Sequence, residues 1–285
     1  MAGRRPPRPP RKPSRGTSSG GPGRHRRPAA SQGGTVWLFG LHTVRDALMN
    51  PRRRRRRLIV TPNARLRLAE AIAAAGIEPE IADPRRFPAP LDPQSVHQGA
   101  ALEAEPLDWG PLAALAAPAP DAPAPTLVLL DRVTDPHNVG AILRSSEVFG
   151  ARAVVAPARH SAPETGALAK AASGALERQP YLRVTNLGDA MERLADLGYE
   201  LVGLAGEAET PLEDAVAAAA GRPLALVLGA EGSGLRARTR ALCTRLARIT
   251  PAARFASLNV STAAAVALYA AAGRAATAPG NPGGP

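Results

Sequence analysis

The chain has 285 residues, 45% of them hydrophobic, the composition of a globular protein of one large or two ordinary domains and not of a disordered one. Aromatic residues make up 3%, which argues against a sheet of base-stacking aromatics, while a formal charge of +12 points to a polyanionic partner, most simply nucleic acid. Cys243 is the sole cysteine, so an intramolecular disulfide is excluded; the histidines lie at no metal-ligand spacing, so no structural metal is expected, and no apolar run is long enough to span a membrane.

Residues 1–34 are Pro, Gly, Ser and Arg with almost no apolar side chain, and the first 30 hold nine basic residues and no acid. Such a segment cannot bury enough surface to offset its ordering entropy, and a disordered basic tail is expected. Much of the net charge therefore sits in the tail. The heavy use of Arg beside Ala, Gly and Pro is also what a GC-rich genome produces, so charge supports RNA binding without establishing it. A cytoplasmic location is expected.

Ordered structure is predicted to begin near Val36–Gly40, followed by a helix over Leu41–Met49 that Asn50-Pro51 stops. A strand (Leu58–Thr61), a helix (Ala64–Ala75, ended by Gly76), a short strand (Glu78–Ile81) and an extended piece (Gly99–Glu105) complete a small α/β domain at 35–106. Residues 107–125 are rich in Ala and Pro, a composition that favours a semi-rigid extended linker. From Thr126 onward strands and helices alternate, which predicts a mostly parallel sheet covered on both faces over 126–275. The remainder to Pro285 is expected to fray.

Three polar blocks interrupt this second region, each at the end of an apolar strand or the start of a helix, where open α/β sheets bind ligands. The first, LVLLDRVTDPHNVGAILRSSEVFG (Leu127–Gly150), puts Asn138 at a strand-to-helix turn and Arg144 six residues on. Its bland reading is an Asp135 cap with Pro136 in the first turn and an Arg144–Glu147 pair on the helix surface. The second block, Gly229-Ala230-Glu231-Gly232-Ser233-Gly234, is neither a dinucleotide fingerprint nor a P-loop, and by itself reads as a tight turn. The third, Ser257-Leu258-Asn259-Val260-Ser261, offers a helix cap followed by apolar packing residues. Before them all stands a run of six arginines, Arg52, Arg53, Arg54, Arg55, Arg56 and Arg57, which is either a solvated loop or a phosphate-binding patch.

Together and in this order, the blocks resemble the signature motifs of the SpoU (TrmH) class of RNA ribose 2′-O-methyltransferases, over roughly Thr126 to Ala275. The resemblance implies a SPOUT-type α/β fold with a C-terminal trefoil knot, S-adenosylmethionine as methyl donor and a homodimer with its site near the interface. It implies that Arg144 activates the ribose hydroxyl and that Asn138, Glu231, Ser257 and Asn259 complete the active site. Gly229, Ile249 and Leu258 are implied to grip the adenosine. Glu231 is then a candidate to hold Arg144 or a ligand, and Glu147 to orient Arg144. One departure appears after Ile249, where Thr250-Pro251-Ala252-Ala253 lacks the glycine usual in the family.

The small domain resembles the ribosomal-protein-like substrate-binding domain fused to some SpoU enzymes, through FGLHTVRDAL, LIVT and the His97-Gln98-Gly99 turn. The expected reaction is methylation of a guanosine 2′-oxygen in 23S rRNA. A tRNA methyltransferase and a non-catalytic RNA-binding or ribosome-assembly factor on the same scaffold are the alternatives. A nicotinamide enzyme is disfavoured by the missing fingerprint.

Overall fold

A computed structural model describes residues 34–92, 95–119, 122–250 and 257–276. The basic tail, apart from Gly34, and the C-terminal tail beyond Ala276 lie outside the described residues, as does the departure at 251–253.

The first elements are β1 (Val36–Phe39), α1 (Leu41–Met49), β2 (Arg55–Val60), α2 (Pro62–Arg67), α3 (Ala69–Ala75), β3 (Glu80–Ile81) and β4 (Ala100–Ala104). They form a four-stranded sheet in the order β1-β4-β2-β3, with β4 antiparallel to both β1 and β2. Thr61 caps α2 by accepting from the Ala64 amide, with Pro62 in the first turn. The helix expected over Ala64–Ala75 is in fact two, because Leu68 leaves helical geometry at the junction (φ −105°, ψ 7°).

Next comes α4 (Leu112–Ala116), which corrects the extended linker expected at 107–125. Ala116 is fully buried, Trp109, Leu112 and Leu115 pack beside it, and the Tyr199 hydroxyl donates to the Ala116 carbonyl at 2.8 Å. Packing of leucines and alanines outweighs the extended bias of the flanking prolines.

The rest of the chain runs β5 (Thr126–Asp131), α5 (Pro136–Val148), β6 (Ala153–Pro157), α6 (Gly166–Ala172), a 3₁₀ turn (Ala175–Glu177), β7 (Tyr181–Val184) and α7 (Leu187–Asp196). It continues with β8 (Glu200–Leu204), β9 (Thr210–Pro211), α8 (Leu212–Ala217), β10 (Leu224–Gly229), α9 (Ala237–Leu242), β11 (Arg245–Arg248) and α10 (Val260–Ala276). These strands make a seven-stranded sheet in the order β7-β6-β5-β10-β8-β11-β9, parallel at every pairing. Alternate residues of its central strands face two cores. Val128, Leu130, Val154, Leu226 and Leu228 pack under α5, α6, α8 and α10, while Leu127, Leu129, Val155, Ala225 and Val227 pack under α4 and α7. Burial on both faces explains why these strands read as continuous apolar runs.

From β5 the chain proceeds outward through β6 and β7, then crosses the sheet to β8 and returns to insert β10 beside β5. The connections leave β5 and β10 in opposite directions. A crevice therefore opens at their carboxyl ends, where Gly229 stands opposite Asp131 in the register.

The small sheet is seated on α6 and the 3₁₀ turn. Gly166 lies so close to Trp37 and Phe39, and Gly174 to Asp46, that a β-carbon at either position would overlap them. Lys170 donates to the Val96 carbonyl at 3.1 Å, and the Asn50 amide donates to the Glu177 carbonyl and carboxylate at 3.0 and 2.8 Å.

Candidate active site

The crevice is built from the inside outward. Asp131 ends β5 with no solvent exposure, and its carboxylate accepts from the Arg236 backbone amide (2.9 Å) and guanidinium (2.6 Å). A buried carboxylate needs such partners, and this one pins the far end of the glycine-rich loop. At the near end, a β-carbon on Gly229 would overlap the Gly234 carbonyl, so the loop closes only with glycine there. Within it the Gly234 amide donates to the Ala230 carbonyl at 2.9 Å, and the turn carries Glu231 to the surface.

Three side chains from the three sequence blocks meet at this point. Asp135 caps α5 by accepting from the His137 amide, which sets Asn138 in the first turn facing the loop. Asn138 Nδ2 donates to Glu231 Oε1 at 3.2 Å; Asn259 Nδ2 donates to the same oxygen at 2.5 Å and to Asn138 Oδ1 at 2.9 Å. Asn259 Oδ1 in turn accepts from the Ser261 amide at 2.9 Å and caps α10. The bland and the functional readings of Asn259 are thus compatible, since one amide group serves both ends. A cleft of about 140 Å³ lies beside this cluster, lined by Arg132, Thr134, Asp135, Asn138, Glu231 and Val260 among others.

The remaining candidates are spread around the cluster. Ile249 follows β11 and packs on the core; Ser257 and Leu258 are exposed just before α10, Leu258 by 48% despite its apolar side chain. Arg144 is exposed on α5, outside the cleft lining, roughly 9 Å along the helix axis from Asn138. It makes no hydrogen bond or ion pair among the described residues. Two roles left open by the sequence are narrowed here: Glu231 bonds the two asparagines and not Arg144, and Glu147 is engaged by the Arg178 guanidinium, not by Arg144. Asp131, Arg132 and Arg236 were not read from the sequence as part of the site; a lone Asp closing an apolar strand was their available signal. Cys243 is no candidate nucleophile, because burial pushes its thiol up to about 12.

The arginine run divides. Arg53, expected to bind RNA, is 1% exposed and points into the protein. Its guanidinium donates to Glu164 (2.5 Å), to both Glu177 oxygens (2.6 and 3.1 Å) and to the Glu105 carbonyl (2.8 Å). Two carboxylates from the α6 region compensate its desolvation, which removes it from any phosphate patch. Burial pushes the Glu164 carboxyl up, with Arg53 pulling it back. Arg55 is half-buried on the Leu48 carbonyl. Arg52, Arg54, Arg56 and Arg57 are exposed, although Arg52 lies 4.3 Å over the Trp109 ring, Arg54 and Arg56 share Glu105, and Arg57 pairs with Glu80.

The parallel α/β sheet is the fold of solved SpoU methyltransferases. The SpoU methyltransferase AviRb from Streptomyces viridochromogenes, in complex with AdoMet, superposes with a TM-score of 0.71 at 23% identity, over 86% of this chain and 91% of that one. An AdoMet-bound rRNA methyltransferase from Sinorhizobium meliloti gives 0.67 at 23% identity, over 83% and 86%. Residues 125–269 match the model of the SpoU rRNA Methylase family, and residues 37–109 match that of RNA 2′-O ribose methyltransferase substrate binding. The chain belongs to the SpoU rRNA methylase family. A 23S rRNA (guanosine-2′-O-)-methyltransferase RlmB from Burkholderia sp is 48% identical over 145 residues, 51% of this chain and 58% of that protein. The RlmB of Pseudomonas putida is 35% identical over 239 residues, 81% of this chain and 94% of its own length. The chain thus spans little more than half of the first relative and nearly all of the second.

Proposed function

We propose that the protein transfers a methyl group from S-adenosylmethionine to the ribose 2′-oxygen of a guanosine in 23S rRNA. The observation that carries this reading is the meeting of Asn138, Glu231 and Asn259 at the β5/β10 switch point. The exposed apolar side chain of Leu258, next in sequence to Asn259 at the glycine loop, suits an adenine ring, as does the half-buried Ile249, and the backbone of the Gly229 loop suits polar edges. When bound, S-adenosylmethionine supplies an electrophilic methyl group. Asn138, Asn259 and Ser257 orient the ribose, and Glu231 holds the asparagines in place. Arg144, a permanent cation with no carboxylate partner among the described residues, favours the ionised form of the 2′-hydroxyl.

The small sheet and its helices (35–106) form the RNA-binding domain, joined through 107–125 to the methyltransferase domain (126–275). A C-terminal knot belongs to this reading, as does a homodimer. Supporting the dimer, Arg144 and Val148 share an exposed face of α5, and Val148 (76%) and Tyr269 (71%) leave apolar surface uncovered at the C-terminal end of that helix. An rRNA substrate puts the enzyme in the cytoplasm. The exposed arginines Arg52, Arg54, Arg56 and Arg57 are proposed phosphate contacts.

Incubating the full chain with labelled S-adenosylmethionine and 23S rRNA transcripts, then digesting to nucleosides, should yield 2′-O-methylguanosine. Arg144→Ala should abolish the product in single turnover while cofactor affinity stays within roughly a few-fold. A methylated base, or methylation of tRNA alone, would overturn the proposal.

A further inference from the structure

Arg132 follows the buried Asp131 and occupies the left-handed region at φ 64°, where a β-carbon is strained. Among the described residues three other non-glycines share this geometry, and two of them have a local reason for it: Gln98 accepts from the Leu41 amide, and Ser173 ends α6. Arg132 has no such reason. The backbone on either side fixes it, with Asp131 tied to Arg236 and the buried Val133 accepting from the Ala162 amide at 3.3 Å. Glycine would satisfy the turn without strain. The side chain, however, is exposed, makes no hydrogen bond or ion pair among the described residues, and lines the same cleft as Asn138 and Glu231. The acids of that lining are Asp135 and Glu231, and Arg132 is its one cation among the described residues. A polyanion entering a cleft that carries two carboxylates needs a cation at the rim, and the planar guanidinium fork matches phosphate oxygens in pairs.

We propose that Arg132 is a substrate-positioning residue that grips a backbone phosphate of the RNA next to the target ribose. The inference rests on the RNA methyl-transfer reading above. Its test compares wild type with Arg132→Gly and Arg132→Lys in the full chain, measuring melting temperature, S-adenosylmethionine affinity by calorimetry, RNA affinity against salt, and steady-state methylation.

Arg132→Gly should melt no lower than wild type, because the strain is relieved, and should bind the cofactor equally well. Its RNA affinity should fall several-fold, the slope of log K against log salt should shrink by about one, and KM should rise by more than kcat falls. Arg132→Lys should recover part of the affinity. Unchanged RNA affinity and slope would overturn the proposal. So would a loss confined to cofactor affinity, which would assign the guanidinium to the carboxylate of the methyl donor. If wild type binds RNA with the expected salt slope yet forms no 2′-O-methyl product, the catalytic reading fails while the phosphate contact stands on the binding data.

Discussion

Arg53 carries a charge into an almost dry setting, and its worth depends on what faces it. With Glu164 and Glu177 both within hydrogen-bonding distance, removing the guanidinium strands two carboxylates that are largely shielded from water. Breaking such a buried pair costs about 3–5 kcal/mol, whereas an exposed arginine lies within about 0.5 kcal/mol of neutral. Arg53→Met should therefore lower the urea midpoint sharply and Arg54→Ser should leave it in place. The triple change Arg53→Met, Glu164→Gln, Glu177→Gln should recover much of the loss, because no charge is then stranded. Equal effects at 53 and 54 would refute the assignment. Nothing local in a six-arginine run distinguishes position 53 from its neighbours. Its partners lie 111 and 124 residues away, so only the tertiary fold singles it out. Asn138, Glu231 and Asn259 were legible as candidates through family motifs, but their mutual contacts depend on the loop between Gly229 and Arg236 and were not.

At the level of elements, the Gly229 loop is the part whose geometry the site can least spare. A β-carbon at 229 meets the Gly234 carbonyl and the Leu235 amide, all backbone, so relief requires the loop to open and Glu231 to move. Overpacking of this kind costs roughly 1–3 kcal/mol. Gly229→Ala should weaken S-adenosylmethionine binding about tenfold or more by calorimetry, with a smaller drop in melting temperature. Retained affinity would mean that the loop does not border the cofactor. The long apolar strands and α1, α5 and α7 were readable because burial on both faces or one face leaves a clear pattern. The short pieces were not: β9 and α8 (Thr210–Ala217) and the 3₁₀ turn are held by neighbours, not by their own periodicity. Likewise α4 forms among prolines because Ala116 and its apolar neighbours find a core to enter.

For the whole molecule, α10 raises a question of cover. Ala264, Ala267, Leu268 and Ala271 pack inward, yet Val266 and Tyr269 on the outer side are apolar too, and Tyr269 meets Phe149 edge-on at 6.0 Å. A helix apolar all round asks for a second partner. Val148→Asp with Tyr269→Glu should convert a dimer into a monomer in sedimentation equilibrium, with activity lost if the site needs the interface. A wild type that sediments as a monomer would remove the homodimer from the account. The seating of the small sheet on α6 has a different consequence. Gly166 and Gly174 are the absent material that lets one body rest directly on the other, and Arg53 fastens the joint. Such a joint favours a fixed-jaw caliper over a hinged one. On the proposed RNA-binding reading, the span between the outer arginines and the candidate site is then a ruler cut to a single length. Retargeting such a protein to another RNA would require recutting that joint, not merely exchanging the surface that touches the nucleic acid.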